Sequence, residues 1–286
     1  MEFIFLGTGT SGGVPMIACD CATCTSDDPR DTRTRTGACV RWVDPTGQER
    51  VVLIDTTPDL RVQAIRHGLE RCDAILFTHN HVDHIFGLDE VRRFNAVMPR
   101  LGDGGMSPID IYAEPHTLSS LRRVYAHIFD REANINDSFV ARLVTHEIAP
   151  GEPIDIHGVR FTPIRLMHGN LPIVGFRITT IEDGDGASWM PLAYCTDVSE
   201  IPDETWPALE GLSTLVLDGL RWKPHPTHLT IEQACRTSER IGAGRTWLVH
   251  VAHQVLHVEG DDACPEGVRL AWDGLRLDSG SDGSTI

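Results

Sequence analysis

The stretch Thr78-His79-Asn80-His81-Val82-Asp83-His84-Ile85-Phe86-Gly87-Leu88 decides how this chain is read. It follows Asp73-Ala74-Ile75-Leu76-Phe77, a short continuous apolar run of the type buried on both faces of a sheet. Four potential metal ligands then fall between His79 and His84. Side chains two apart on extended chain point the same way, so His79 and His81 can meet at one point. Asp83 and His84 open the next turn and can reach a second point close by. Two metal ions about 3.5–4 Å apart form the clamp used to hydrolyse phosphate esters and related bonds. A merely solvated histidine-rich turn has no need of four ligand-type residues directly after a buried strand. The stretch predicts a dinuclear metal site at a strand end.

The rest of the composition narrows the class. The 286 residues, 31.6 kDa, are enough for one large domain with a proper core. A formal net charge of −16 repels phosphate backbones, so nucleic acid is not the expected partner. No apolar run reaches the roughly 20 residues of a bilayer span, so no membrane association is expected. The start Met1-Glu2-Phe3-Ile4-Phe5 lacks the basic region and cleavage site of a signal peptide, which points to the cytoplasm. There, 8 cysteines read as reduced thiols or metal ligands rather than disulfides. A count of 14 histidines against 3 tyrosines points to metal again.

Along the chain, short strands alternate with helices. Strands are predicted at Phe3–Leu6, Ala38–Val43, Arg50–Ile54, Asp73–Thr78, Phe139–Ile148, Ile154–Ile156, Val159–Met167, Leu192–Thr196, Thr214–Leu217 and Thr246–Val251. Asp44-Pro45-Thr46-Gly47 is a hairpin turn signal. Helices are predicted after Thr57-Pro58-Asp59, with Leu60, Ala64, Ile65 and Leu69 on the buried face, and over Leu88–Val97, Thr117–Phe129 and Ile231–Ile241. One domain is expected over 1–277, with a cysteine-rich loop at about 14–37 and a disordered tail at 278–286. Hairpins mixed with helices fit a layered α/β sandwich.

The run HNHVDH resembles the H-x-H-x-D-H signature of the metallo-β-lactamase superfamily, whose fold is a four-layer αββα sandwich. The resemblance implies three further ligands at later strand ends: His168, Asp197 and His250. One ion would then sit on His79, His81 and His168, another on Asp83, His84 and His250, with Asp197 bridging. Water between two such ions is ionised near neutral pH and attacks the substrate. The ions would be manganese or zinc.

Cys19-Asp20-Cys21-Ala22-Thr23-Cys24 places three thiolates where tetrahedral zinc needs four ligands, and His253 is the candidate fourth. The opening LGTGTSGGVP, this C-x-C-x-x-C loop and the late His250-x-x-His253 are similar to the PhnP-type phosphodiesterases, over Phe3 to about Gly274. That resemblance implies a structural zinc, cleavage of small cyclic phosphates of ribose and a homodimer. The glycines of Gly7-x-Gly9-x-x-Gly12 let a bare loop pass close beneath the metals, or simply form a tight turn, since no helix follows them as a dinucleotide site requires. The resemblance makes His228 the general acid, with His225 its rival; a neutral-range pKa would suit the task. Asp83 and His228 are thus the candidate catalytic residues, and Arg41, Arg221 and Lys223 could contact phosphate. The expected activity is metal-dependent hydrolysis of a small cyclic phosphate or nucleotide-like diester by metal-bound hydroxide. The alternatives are a tRNase Z-like nuclease, which the acidity disfavours, a thioester hydrolase, and a non-catalytic metal-binding partner protein.

Overall fold

The computed structural model describes residues 1–278 except 101, 103–104, 131, 136–137 and 182–185. Strand β1 (Glu2–Gly7) sends Phe3 and Phe5 to one side and Ile4 and Leu6 to the other, and all four are buried. A strand buried on both faces needs a covering layer on each. The two layers are a second sheet and a set of helices.

The first sheet runs in the order β14 (Arg276–Asp278), β1, β2 (Gly37–Val43), β3 (Glu49–Ile54), β4 (Ala74–Leu76), β5 (Ile109–Ala113) and β6 (Leu143–Glu147). The second runs β13 (Val268–Leu270), β12 (Arg245–Val249), β11 (Thr214–Asp218), β10 (Leu192–Cys195), β9 (Leu171–Thr180), β8 (Val159–His168) and β7 (Ile154–Ile156). The strands β3 to β6 are mutually parallel, as are β10 to β13. Between the sheets lie Phe3, Phe5, Val52, Phe161, Phe176 and Trp247. Outside the first sheet, Ile4, Leu6 and Phe77 pack with residues of α1 (Leu60–His67), α2 (Val82–Ile85), α3 (Arg92–Val97) and α4 (Pro115–Val124), followed by the short α5 (Ala126–Phe129). Outside the second, Leu217 and Leu248 pack with α6 (Ile231–Ile241), and α7 (His257–Ala263) lies against β13. The expected αββα sandwich is what forms.

Several elements differ from the sequence reading. Strands β5, β9, β13 and β14 form where no strand is predicted; β5 alternates in burial along Ile109-Asp110-Ile111-Tyr112-Ala113, and β9 contains Pro172 and Gly175. The run predicted from Phe139 becomes a strand only at Leu143. The helix predicted over 117–129 breaks at Tyr125, and Leu88–Val91 is a 3-10 turn ahead of α3. In α1, Gln63 and His67 are buried with Leu60, whereas Ile65 is 66% exposed. The cause is polar: the Gln63 amide donates to Thr34 Oγ1 at 3.0 Å and to the Arg35 carbonyl at 2.9 Å, which turns the helix onto that edge. Asp278, expected to open the disordered tail, instead pairs with Glu2 as the last residue of β14. The remainder of that tail, 279–286, lies outside the described residues. Among the described residues no helix is long and apolar enough to cross a membrane.

Candidate metal centre

Parallel sheets place functional groups at the carboxyl ends of their strands. Here Asp55 follows β3, His79 to His84 follow β4, Asp197 follows β10, Asp218 ends β11 and His250 follows β12. His168 ends β8. The chain beyond β4 runs on between the sheets: the Phe77 N–H donates to the Tyr112 carbonyl, and the Val174 N–H of β9 donates to that of Thr78. His81 then caps the single-turn helix α2, which carries Asp83 and His84.

The seven expected ligands converge as two groups. One nitrogen from each of His79, His81 and His168 lies within 4.8 Å of the others, and ligand atoms of Asp83, His84, Asp197 and His250 meet the same limit. Asp197 Oδ2 is 3.2 Å from His84 Nε2, and Oδ1 is 3.1 Å from His250 Nε2. Burial alone would raise the Asp197 carboxyl, but His250 and His84 beside it hold it well below the carboxylate range. Burial pushes the His79 imidazolium well below its ordinary value and leaves the ring neutral, as a metal ligand requires. His84 is shifted the other way: burial opposes its charge, but Asp197, Asp83 and Asp55 outweigh it.

Three of the five ligand rings are aimed by their second nitrogen. His84 Nδ1 lies 2.7 Å from Asp55 Oδ2, His168 Nδ1 lies 2.8 Å from the Thr227 carbonyl, and His79 Nδ1 lies 3.0 Å from Thr78 Oγ1. Fixing Nδ1 in this way turns Nε2 towards a metal. Asp55, Asp197 and His250 all have φ near +60° (64°, 59° and 62°), in the left-handed region. Such conformations cost about 1–3 kcal/mol each in non-glycine residues and persist where surrounding structure enforces them. Among the described residues, only Ala18 and His157 are other non-glycine residues with positive φ.

The arrangement fits divalent ions. The Nε2 atoms of His79, His84 and His250 are buried without hydrogen-bond partners; those of His84 and His250 face the carboxylates of Asp83 and Asp197, while His79 gathers with His81 and His168. A cation completes such a set, whereas water-free burial of bare imidazole nitrogens is costly. The site also extends past the seven. A nitrogen of His228 lies within 4.8 Å of His168 and Asp197, and its Nδ1 is 2.9 Å from Asp218 Oδ1. Asp218 is fully buried, accepts the Leu229 N–H at 2.9 Å and comes within 3.7 Å of His250 Nδ1.

Other expectations sort by position. Burial, reinforced by His250, pushes His228 down to about 4, so the neutral-range pKa expected for it is not found. His225 stands next to it, with ring centroids 5.1 Å apart, and its Nδ1 accepts from Thr227. Arg41 is bound to Glu2 on the first sheet and is no phosphate contact. Arg221 donates to the carbonyls of Lys223 and Pro224 and so ties its own loop together. Lys223 remains, exposed beside exposed Trp222 and two residues from His225; it is the only lysine among the chain's 25 Lys and Arg residues. In the glycine loop, a Cβ on Gly9 would stand 2.7 Å from the Arg33 carbonyl, and Thr10 N–H donates to Val251 next to His250. Gly7 and Gly9 thus allow the loop to pack tightly on the backbone of Arg33 and Arg35 rather than on the metal ligands, while a Cβ on Gly12 would make only ordinary contact with Met16.

The cysteine loop is a separate cluster. Cys19 Sγ and Cys21 Sγ lie 3.2 and 3.4 Å from His253 Nδ1, and Cys24 Sγ completes a set within 4.8 Å. The Cys24 backbone N–H, with His253, lowers the Cys21 thiol to about 6. Three sulfurs and one imidazole nitrogen match, in kind and number, the donors of a tetrahedral zinc site.

The sequence pattern of the "Beta-lactamase superfamily domain" matches residues 50–251, from the start of β3 to just past His250. This chain belongs to the β-lactamase superfamily. Within the superfamily, the crystal structure of "a New Diphosphatase from the PhnP Family" is 39% identical with a TM-score of 0.82, covering 97% of each chain. At that identity over nearly the full length of both, the chain falls in the PhnP family. The octanoyltransferase of Porphyromonas gingivalis (strain ATCC BAA-308 / W83) is 35% identical over 277 residues, 96% of this chain and 51% of that protein. The chain therefore spans about half the length of that relative. Coenzyme PQQ synthesis protein B of Methylorubrum populi is 28% identical over 234 residues, 77% of this chain and 73% of that protein.

Proposed function

We propose that this superfamily member is a dinuclear metal-dependent hydrolase that cleaves a P–O bond in a small phosphoric diester. The observation that carries the reading is the placement of the His228–Asp218 pair against the two ligand groups. His79, His81 and His168 would hold one ion, Asp83, His84 and His250 the other, and Asp197 would lie between them. When bound, the ions would supply Lewis-acid stabilisation of the phosphoryl oxygens and lower the pKa of attacking water. The remaining work falls to the protein's own groups.

With Nδ1 facing Asp218, Nε2 is the nitrogen His228 can offer to a substrate. Burial holds the His228 ring neutral and pushes the Asp218 carboxyl well above its ordinary range. On this reading the pair shares one proton between Asp218 and Nδ1, while Nε2 keeps its own hydrogen. As Nε2 protonates the leaving oxygen, the shared proton passes to Nδ1 and the ring stays neutral. A ribose alkoxide needs that proton; the phosphate released from a diphosphate needs it less. A small phosphorylated substrate also suits the exposed Lys223, two residues from His225. The cysteine cluster with His253 would hold a structural zinc.

A second reading is hydrolysis of an acyl thioester at the same site, favoured by the 35% identity to an octanoyltransferase. A substrate panel separates the two. Manganese- or zinc-loaded protein should turn over bis(p-nitrophenyl) phosphate, together with a ribose cyclic phosphate or a dinucleoside diphosphate. Turnover of an octanoyl thioester or a chromogenic cephalosporin, with no phosphodiester or diphosphate hydrolysed, would contradict the proposal.

A further inference from the structure

Two cysteines meet outside both metal-type clusters. Cys235 lies in α6 and Cys264 caps the end of α7; they are 29 positions apart in sequence, with Sγ atoms 3.9 Å apart. Both are half-buried, whereas Cys39, Cys72 and Cys195 are fully buried and raised above the ordinary thiol range by burial. Cys19, Cys21 and Cys24 are gathered around His253. With that cluster occupied, Cys235 and Cys264 are the thiols left open to reagents.

Cys235 also lines a cleft of about 1140 Å³. The cleft lies where β12 and β13 begin, at the opposite end of the sheet from His250. Arg269 and Arg236, the latter paired with Glu232 at 3.2 Å, line it together with Glu239, Glu266 and Trp272, so groups of both signs face a bound molecule. The two sulfurs are not equivalent. Cys235 lines the cleft and Cys264 does not, and contact with Cys264 lowers the Cys235 thiol. A lowered thiol is the better attacking group, and the other is then the resolving one.

We propose that Cys235 and Cys264 form a redox-modification site, a dithiol that closes to a disulfide by exchange with a zwitterionic peptide disulfide entering through this cleft. The Cys235 thiolate attacks one sulfur of the reagent, forming a mixed disulfide and expelling one reagent thiol, which takes up the Cys235 proton. Cys264 then attacks the Cys235 sulfur, gives up its own proton, and expels the second reagent thiol. Two protein thiols are oxidised, and one reagent disulfide is reduced to two thiols. The bond ties α6, which begins just after His228, to α7, which begins just after His253. Joining positions 29 apart removes freedom from the unfolded chain, so the oxidised protein is the more heat-stable form.

The test uses metal-replete full-length protein incubated with oxidised glutathione, followed by peptide mass mapping without reductant. Wild type should lose two hydrogens, yield a Cys235–Cys264 cross-linked peptide and melt several degrees higher than the reduced form. Cys264→Ser should stop at a glutathione adduct on Cys235, and Cys235→Ser should react far more slowly. The proposal is overturned if no cross-link forms, if it joins other cysteines, if Cys264 is the preferred adduct site, or if the cross-linked protein melts no higher.

Discussion

Asp55 Oδ2 lies 2.7 Å from Nδ1 of His84, and the same carboxylate accepts the backbone N–H and the hydroxyl of Thr78. One buried acid at the end of β3 thus fixes both the ring of a ligand and the start of the segment that carries four ligands. Asparagine tolerates the left-handed φ of 64° found here, so Asp55→Asn removes the charge and spares the backbone. We predict a fold that survives and an active-site metal affinity lowered roughly 10–100-fold. Competition against a chelator measures it, and unchanged affinity would remove Asp55 from the account.

The two metal-type clusters should fail independently. The loaded wild type is expected to hold about three ions per chain, one of them in the cysteine cluster. Cys21→Ser should lower the melting temperature and release one zinc, leaving the specific rate of the folded fraction nearly intact. Asp197→Asn should abolish turnover while the cysteine zinc stays. Full zinc and full stability in the Cys21 variant would refute the staple.

Lys223 should act on substrate capture. Lys223→Ala is expected to raise KM for an anionic substrate roughly tenfold, the worth of one charged hydrogen bond, with kcat little changed. Because the chain has one lysine, reductive ¹³C-methylation labels only its ε-amine and the α-amine. Of these two NMR signals, the lysine one should move when inorganic phosphate is added to loaded protein. A still lysine signal, or a fall in kcat alone, would place the residue outside the binding site.

Acid should weaken the fold through His67. It is buried beneath Gly274, and burial lowers it to about 4, so the folded protein leaves it neutral where the unfolded chain protonates it. The unfolded state binds the extra proton below about pH 6.5, so stability rises with pH there and is lost as pH falls towards 4. His67→Gln should flatten the melting-temperature profile over that window. An equally steep profile would assign the loss to other groups.

Much of the site was legible because its signals are local. Four ligands lie between His79 and His84, and the resemblance they carry is what implies His168, Asp197 and His250, each at the end of an apolar run. Asp55 and Asp218 were not singled out, because a lone acid at a strand end takes its meaning from a histidine that folding brings to it. The runs Leu53-Ile54-Asp55 and Val216-Leu217-Asp218 carried the only hint, a carboxylate placed directly after buried strand. The shift of His228 could not be read for the same reason: it follows from burial and from His250, 22 positions away. The α1 face was misread because apolar spacing favoured Ile65, while hydrogen bonds to Thr34 and Arg35 brought Gln63 inward.

The measurement closest to the central claim is the loss caused by His228→Ala on two substrates of one chemistry. A ribose cyclic phosphate has a poor alkoxide leaving group, whereas p-nitrophenolate departs unprotonated. If His228 delivers the proton, the variant should lose roughly 10²–10⁴-fold on the cyclic phosphate. It should lose far less on bis(p-nitrophenyl) phosphate, with its metal content unchanged. Equal losses on both substrates, loss of metal, or a larger selective effect from His225→Ala would contradict the account.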